Sequence, residues 1–318
     1  MRVHPSRILP TLLSLTFAAL HGAIADADVT GQDFAATAAG AASGDAEAQF
    51  LTGRAYANGQ GVPKDSAKAA DFYRKAAEQG NEKAQNNLAW LYLDGIGVQK
   101  DPAEGLKWLR KAAEQGVAKS QDSLGYILAK GDGVPKDVLE GAKWLGKAAE
   151  QGIVRAQTQL GFIYYWGDGG VVQDYALAAK WLTVAGKQGN ADAQNAMGVL
   201  HEKGWGAFHS AGLALLWFLK AAEQGHAKAQ ASAGHAIALG NGTDRDPVTA
   251  YMWLKLAADA DEPTGANFLA EYIRGMTREQ VQEGDKKVAE YRARKGLKAP
   301  PSKPLPLVPG LLPGVAKP

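Results

Sequence analysis

The stretch GNEKAQNNLAWLYLDGIGVQKDPAEGLKWLRKAAEQ, residues 80–115, decides the fold because it contains two helix patterns joined by a glycine-rich connector. In its first half, Ala84, Leu88 and Tyr92 recur at four-residue steps, which places them on one face of an amphipathic helix. In its second half, Trp108 marks the buried face of a second helix. The stretch therefore predicts an α-hairpin.

The limits of the two helices are marked by residues with strong backbone preferences. Gly95 and Gly97 permit the positive φ angles of a tight turn between the helices. Asp101 is a favourable N-cap for the second helix, and Pro102 suits its first position. Glu104 is placed to complete a capping box with that N-cap.

The hairpin pattern recurs along the chain with a period of 36 residues and one step of 37. Units start at Gly44, Gly80, Gly116, Gly152, Gly189, Gly225 and Asp261. A period of this length predicts a solenoid, in which each unit buries its apolar face against its neighbours. The fold class is therefore all-α, with about seven helix-turn-helix repeats over residues 44–296.

The recurring residues resemble those of a known family. The patterns Ala-Gln-x-x-Leu-Gly-x-x-Tyr, Gly-x-Gly-Val-x-x-Asp and Ala-x-x-Trp-x-x-x-Ala-Ala-x-Gln-Gly are similar to motifs of the Sel-one-like repeat (SLR) family, a relative of the tetratricopeptide repeats. The resemblance covers about four fifths of the chain. It implies a right-handed superhelix of α-hairpins and a role as an adaptor in protein complexes, often in bacterial envelopes.

The first residues have the order of a secretory signal peptide. Arg2 and Arg7 precede an apolar run, and small residues end at Ala25, before the acidic Asp26. The apolar run has about 13 residues, fewer than the ~20 that span a bilayer, so a membrane anchor is the less favoured alternative. We interpret residues 1–25 as a signal peptide and expect a periplasmic or secreted protein with no membrane span after its cleavage.

The segments that flank the repeats differ from them in composition, being rich in alanine before the repeats and rich in proline after them. Residues 26–43 are interpreted as a linker with a short Ala-rich capping helix at 32–42. Residues 297–318 are rich in proline, which predicts a disordered tail. The tail contains two segments, Pro301-Ser-Lys-Pro304 and Pro306-Leu-Val-Pro309, that suit a polyproline ligand as an alternative to a plain terminus.

Composition argues against several kinds of site. The chain has 35 basic and 33 acidic residues, so its net charge gives no reason to expect a nucleic-acid partner. It has no cysteine, which excludes disulfides, thiol nucleophiles and cysteine metal ligands. We expect no metal site, because the spacing typical of zinc ligands is missing among His201, His209, His226 and His235.

No catalytic motif supports an enzyme. Residues 141–148 have the glycine spacing of a phosphate loop, but Ala148 replaces the Ser or Thr that binds magnesium, and the segment lies within a helix pattern. Neither Ser-x-x-Lys nor Gly-x-Ser-x-Gly occurs in the chain. We therefore predict a non-catalytic protein without a cofactor. An enzyme that acts on peptidoglycan or a β-lactam is the least favoured alternative.

The face of each first helix opposite its packed residues is the expected binding surface. Counted from the opening glycine of a unit, positions 3, 6, 10, 13 and 14 lie on this face, which related repeats turn toward a concave groove. Aromatic side chains at position 10 suit an interface, since Trp and Tyr dominate binding energy. The expected partner-binding residues are the aromatic Trp90, Tyr126, Phe162, Tyr165 and Trp166, the polar Asn86, Asn87, Asp122 and Gln159, and the basic Lys83, Lys119 and Arg155.

Two alternatives stay open for this surface. The aromatic side chains either bind a partner in the groove or pack between neighbouring first helices. The basic side chains either orient an acidic partner or form a solvated edge. A protein or peptide is the predicted partner, and a glycan is the alternative, because aromatic faces suit sugar rings as well as apolar side chains.

Overall fold

The computed structural model describes residues 31–298, in which the chain forms fifteen α-helices, one short 3₁₀ helix and no strand. The helices are α1 (Gly31–Ala42), α2 (Ala46–Asn58), α3 (Ser66–Glu78), α4 (Glu82–Asp94), α5 (Pro102–Glu114), α6 (Ala118–Lys130), α7 (Val138–Glu150), α8 (Val154–Trp166), α9 (Tyr175–Lys187), α10 (Ala191–Lys203), α11 (Ala211–Glu223), α12 (Ala227–Leu239), α13 (Pro247–Asp259), α14 (Pro263–Tyr272) and α15 (Arg278–Lys295). The predicted all-α repeat fold is confirmed, with consecutive repeats of about 36 residues.

Residues 1–30 and 299–318 lie outside the described part of the chain. The predicted signal peptide and nearly all of the proline-rich tail fall in these two segments. Helix α1 covers the residues for which a short N-terminal helix was expected. Between residues 31 and 298, no helix is both long enough and apolar enough to cross a membrane.

Local sequence signals place the starts of the second helices. The side chain of Asp101 accepts a hydrogen bond from the backbone N–H of Glu104 at 3.0 Å, as an N-cap should. The prediction of a capping box at this helix is wrong, because the Glu104 carboxylate pairs with Lys107 at 3.2 Å instead. A capping box is present at the start of α15, between Thr277 and Gln280.

Helices α6 and α7 of one hairpin approach each other at two glycines. A Cβ atom built on Gly125 of α6 would lie 2.8 Å from the carbonyl oxygen of Gly141 in α7. A Cβ atom on Gly141 would lie 2.7 Å from the carbonyl oxygen of Gly125. Because neither position has room for a side chain, α6 and α7 meet backbone to backbone.

Buried glutamines join each hairpin to the helix that precedes it. Gln157 of α8 donates its Nε2 to the carbonyl of Ala149 in α7 at 3.0 Å. Its Oε1 accepts from Nε2 of Gln188, which follows α9, at 2.8 Å. The same side-chain bond to the preceding helix is made by Gln49, Gln85, Gln121, Gln194 and Gln230. Each of these first helices is thus held on the preceding helix by a buried polar group that is satisfied.

The tryptophan that recurs in the second helices of unit 2, from α5 to α13, is part of the core. Trp144 of α7 is 8% exposed, and Trp181 of α9 packs in a cluster with Leu145 and Leu160. Lys147 lies over the ring of Trp144, with its Nζ 4.0 Å from the ring centroid. The lysine stem therefore covers the outer side of the indole while its charge stays in water.

The chain divides into two units, residues 1–100 and residues 101–318. Within the described residues, unit 1 contains α1–α4 and unit 2 contains α5–α15. Unit 2 ends with α15, whose Tyr291 donates its hydroxyl to the carbonyl of Ala222 at 3.1 Å and meets Trp253 edge-on at 5.4 Å. Helix α15 thereby covers the apolar side of α13.

Candidate partner-binding surface

In unit 2, Arg155 connects two neighbouring first helices. From α8, its Nε donates to Oδ2 of Asp122 in α6 at 2.7 Å. The guanidinium also lies 5.2 Å from the ring centroid of Tyr126. Three of the predicted site residues are therefore brought together in one cluster, and much of the charge of Arg155 is already engaged by a carboxylate.

Asp122 is buried, and one of its two carboxylate oxygens has no partner. The residue is 6% exposed, and burial raises the pKa of its carboxyl group, whereas the Arg155 charge and hydrogen bond lower it. Its Oδ1 has no hydrogen-bond partner within the described residues. A buried acceptor left unsatisfied costs about 1–3 kcal/mol, so this oxygen is a position where an added donor is favourable.

The same position of the repeat carries a second acceptor of this kind. Asn195 of α10 corresponds to Asp122 of α6, and its Oδ1 is also buried without a partner among residues 31–298. Between them, Thr158 of α8 donates its hydroxyl to the Val154 carbonyl at 2.9 Å and keeps its oxygen lone pairs free to accept. We call Asp122, Thr158 and Asn195 the acceptor row.

The predicted aromatic residues of unit 2 lie in different environments. Tyr126 is half-buried beside Arg155, and Phe162 is half-buried against the core cluster of α8 to α11. Tyr165 belongs to that cluster and is 9% exposed, and burial raises the pKa of its hydroxyl group. Trp166 is 58% exposed. The structure therefore places Tyr165 mainly in the core and leaves Trp166 mainly in solvent.

The predicted residues of unit 1 are mostly engaged within that unit. Asn87 hydrogen-bonds the hydroxyl of Tyr73, a core residue of α3. The Nζ of Lys83 lies 3.8 Å from the carboxylate of Glu47 in the preceding first helix. Two further predicted residues of unit 1 are half-buried, Asn86 and Trp90.

Two predicted polar residues of unit 2 stay near solvent. Lys119 is exposed, and Gln159 is half-buried. In the part of the chain that the structure describes, no group of three or more His, Asp or Glu side chains is arranged to hold a metal ion.

Sequence reasoning missed Thr158 and Asn195. Their signal was present, since both occupy position 6 of their units, as Asp122 does. Only the burial of the two Oδ1 atoms, which depends on neighbouring helices, distinguishes the row from ordinary surface polar residues. Two aromatic residues in the connector of repeat five, Trp205 and Phe208, were also missed.

Comparison with protein-family models identifies the repeats. The model of the Sel1 repeat matches residues 46–81, 82–117, 118–153, 154–190, 191–226 and 227–262. These limits coincide with the hairpins from α2 to α13. A search of the curated proteins gives no match.

Two solved structures are similar to this chain. A Sel1 repeat protein from Oxalobacter formigenes is 34% identical, with a TM-score of 0.57, covering 71% of this chain and 90% of that one. A protective antigen of uropathogenic Escherichia coli with an SLR fold is 28% identical, with a TM-score of 0.55, covering 86% of this chain and 68% of that one. Sel1 repeat proteins are generally scaffolds for protein interactions. With six matched repeats across residues 46–262, the chain belongs to the Sel1 repeat family.

Proposed function

We propose that this protein is an exported, non-catalytic scaffold that binds a partner protein or peptide on the face of its first helices that carries the acceptor row. The observation that carries the proposal is the acceptor row. Two oxygens at the same repeat position, one each on Asp122 and Asn195, are buried without a donor in the described chain. Native structures keep few such atoms, and a bound partner is one way to satisfy them.

A peptide backbone supplies the donors that this row lacks. Each residue other than proline carries one N–H group, and an extended peptide presents such groups at regular intervals. Helices α6, α8 and α10 carry the three acceptors and are neighbours in the stack. An extended segment crossing these helices would donate to the acceptor row once the side chains of Asp122 and Asn195 rotate to expose these two oxygens.

Side chains beside the row would supply contact area and orientation. Tyr126 and Phe162 are half-buried and offer aromatic surface next to the acceptors. Lys119 is exposed on α6 and favours acidic residues in the partner. The proposed partner is therefore an extended segment with apolar and acidic side chains.

Photo-crosslinking in the producing cell tests the location of the surface. A photoreactive phenylalanine at position 126 or 162 should give a discrete crosslinked product, identified by mass spectrometry. The same residue at Lys143, exposed on the second helix α7, should give none. Crosslinks confined to position 143 would show that the partner binds the second helices and would contradict the proposed surface. Crosslinks to glycan alone would favour the carbohydrate alternative.

Replacement of Asn195 by alanine separates binding from folding. Because its Oδ1 has no partner in the described chain, its loss should leave the melting temperature unchanged or higher. Affinity for the crosslinked partner should fall about 5- to 150-fold, which corresponds to a lost hydrogen bond worth about 1–3 kcal/mol. Unchanged affinity in calorimetry would show that Asn195 does not bind the partner.

Export is proposed from the residues of the first segment alone. Their order, basic then apolar then small, is that of a signal peptide. Residues 1–30 fused to a reporter enzyme that is active only outside the cytoplasm should give reporter activity in a bacterial host. A fusion in which Leu12 and Leu13 are replaced by Asp should give none, and equal activity of the two fusions would contradict export by this segment.

A further inference from the structure

Repeats four and five carry exposed aromatic residues where their helices are connected. Trp166 is 58% exposed, Trp205 is 40% exposed and Phe208 is 71% exposed. With Tyr175 at the start of α9 and Val172 in the preceding connector, 81% exposed, they form what we call the connector patch. None of its three most exposed aromatic rings belongs to the buried core.

The rings of the connector patch are held in fixed positions. Trp205 stacks on Tyr175, with ring centroids 4.9 Å apart and planes inclined by 21°. Tyr175 meets Tyr165 edge-on at 5.5 Å, and Tyr165 meets Trp166 at 4.6 Å. The side chain of Gln173 donates to the hydroxyl of Tyr175 at 3.0 Å. Side chains that are ordered in this way lose little conformational entropy when they bind a ligand.

The backbone also fixes Trp205 in place. A Cβ atom on the next residue, Gly206, would lie 2.0 Å from the carbonyl oxygen of Tyr175. The connector of repeat five therefore rests directly on the first turn of α9. This contact keeps the indole of Trp205 over the ring of Tyr175.

Packing of the repeats does not require these aromatic side chains. The residue that corresponds to Trp205 in other connectors is polar or aliphatic, namely Gln60, Ile96, Asp132, Asp168 and Asn241. Where repeat five has Phe208, repeats one and three have Pro63 and Pro135. Since the other hairpins form without aromatic residues there, the patch is available for binding.

The chain itself contains a segment of matching chemistry. Residues 299–318 include seven prolines, four leucines and two valines, with no acidic residue. Proline-rich segments adopt the polyproline II helix, and such helices dock on grooves lined with aromatic rings. A segment with so many aliphatic side chains differs from ordinary solvated linkers, which are poor in them.

The end of α15 lies within reach of the patch. Arg294 and Lys295 pair with Glu223, the last residue of α11, at 3.0 and 3.4 Å. Helix α11 begins three residues after Phe208, and its 13 residues measure roughly 20 Å at 1.5 Å per residue. A polyproline helix advances about 3.1 Å per residue, so about seven residues beyond α15 cover that length. In such an extended conformation, residues 304–309 would reach the connectors.

We propose that the proline-rich segment 299–318 docks in cis on the connector patch. Its prolines would stack on Trp205, Phe208 and Trp166, and the indole N–H groups would donate to its backbone carbonyls. The surface is distinct from the acceptor row, so the tail would occupy one site while a partner occupies the other.

Paramagnetic broadening of tryptophan indole signals tests this proposal on the full chain. Because the chain has no cysteine, Gly310→Cys provides a single attachment site for a nitroxide. The indole N–H signals of Trp166 and Trp205 should be broadened by at least half, and that of Trp108 should stay sharp. Equal broadening of all three signals, or of none, would overturn docking on the patch.

Two further samples identify the occupant and its site. Replacing Pro304, Pro306 and Pro309 by alanine in the labelled chain should restore the Trp166 and Trp205 signals without changing the melting temperature, because the tail lies outside the hairpins. Leu216→Ala, at another exposed apolar residue, should leave the broadening intact. In a mixed sample, the nitroxide-labelled chain carries no isotope, and the isotope-enriched chain carries no nitroxide. The indole signals of the enriched chain should show no broadening. Broadening of these signals would mean that the tail docks on a second copy and would overturn docking in cis.

Discussion

Tyr73 is a single buried residue through which the stability of unit 1 depends on pH. Its side chain is 3% exposed in α3, and its hydroxyl hydrogen-bonds Asn87 of α4. Burial raises the pKa of Tyr73 from its ordinary value of 10 to about 12, because a phenolate would lose its hydration. The folded state therefore keeps the proton after the unfolded chain has released it.

Alkaline pH should destabilise the protein through this phenol. Below pH 10 its contribution is fully present, and it is lost as the pH rises toward 12, by roughly 3 kcal/mol at 1.4 kcal/mol per pKa unit. Urea unfolding at pH 9 and pH 12 should show a smaller loss of stability in Tyr73→Phe than in the original chain. An equal loss in the two proteins would contradict the raised pKa of Tyr73.

The sequence predicts single residues well where the cause is local. Asp101 caps α5 because its carboxylate reaches an N–H group three residues away. The state of Asp122 was not predictable, since its burial and its partner Arg155 depend on the next hairpin. The bond of Asn87, an expected partner-binding residue, to Tyr73 was also not predictable, because the pattern of one helix does not show where its neighbour lies.

At the scale of the helix pair, glycine sets the distance between α6 and α7. Gly125 and Gly141 face each other with less than 3 Å of space for a side-chain carbon. Gly146, also within α7, has only one neighbouring atom, of Leu160, at 3.9 Å. The same residue type therefore has opposite roles at two positions of one helix.

Alanine at these two glycines should have opposite effects on stability. Gly125→Ala should lower the free energy of unfolding by about 1–3 kcal/mol, because the added methyl group forces the helices apart. Gly146→Ala should raise it by about 0.5–1 kcal/mol, because alanine is the better residue in a helix with space available. Urea unfolding of both variants measures the difference. Stabilisation by both substitutions would show that α6 and α7 have room to accept a side chain.

The hairpins as elements were predictable because their signals repeat. Periodic apolar residues, aspartate caps and connector glycines predict the ends of the hairpin helices to within a few residues. The different environments of the expected aromatic residues were not predictable, because Tyr165 lies in the core through its contact with Tyr175 in the second helix. Helix periodicity shows on which face of a helix a residue lies, but it does not show which neighbouring helix packs against that face.

At the scale of the whole molecule, stability should be local. Each hairpin of a solenoid contacts only its neighbours, so damage spreads over a short distance. In unit 2, Tyr291 of α15 closes the last hairpins through Ala222 and Trp253. Its loss should therefore affect α11 and α13 more than α6 and α7.

Hydrogen exchange should make this locality visible. In Tyr291→Ala, amides of α13 and the end of α11 should exchange faster, by tenfold or more, while those of α6 and α7 should keep their rates. Glu290→Ala, at the exposed neighbouring position, should leave all four helices unchanged. Faster exchange throughout unit 2 would mean that it unfolds as one cooperative body.

The glutamine bonds between hairpins have a consequence for evolution. Gln157 and its counterparts each reach back to a backbone carbonyl, which every residue type possesses. A duplicated hairpin would therefore find a ready acceptor wherever it was inserted, whatever the side chains of its new neighbour. Arrays of this kind can lengthen or shorten by whole repeats through unequal recombination, with each new junction formed by hydrogen bonds that the chain already encodes.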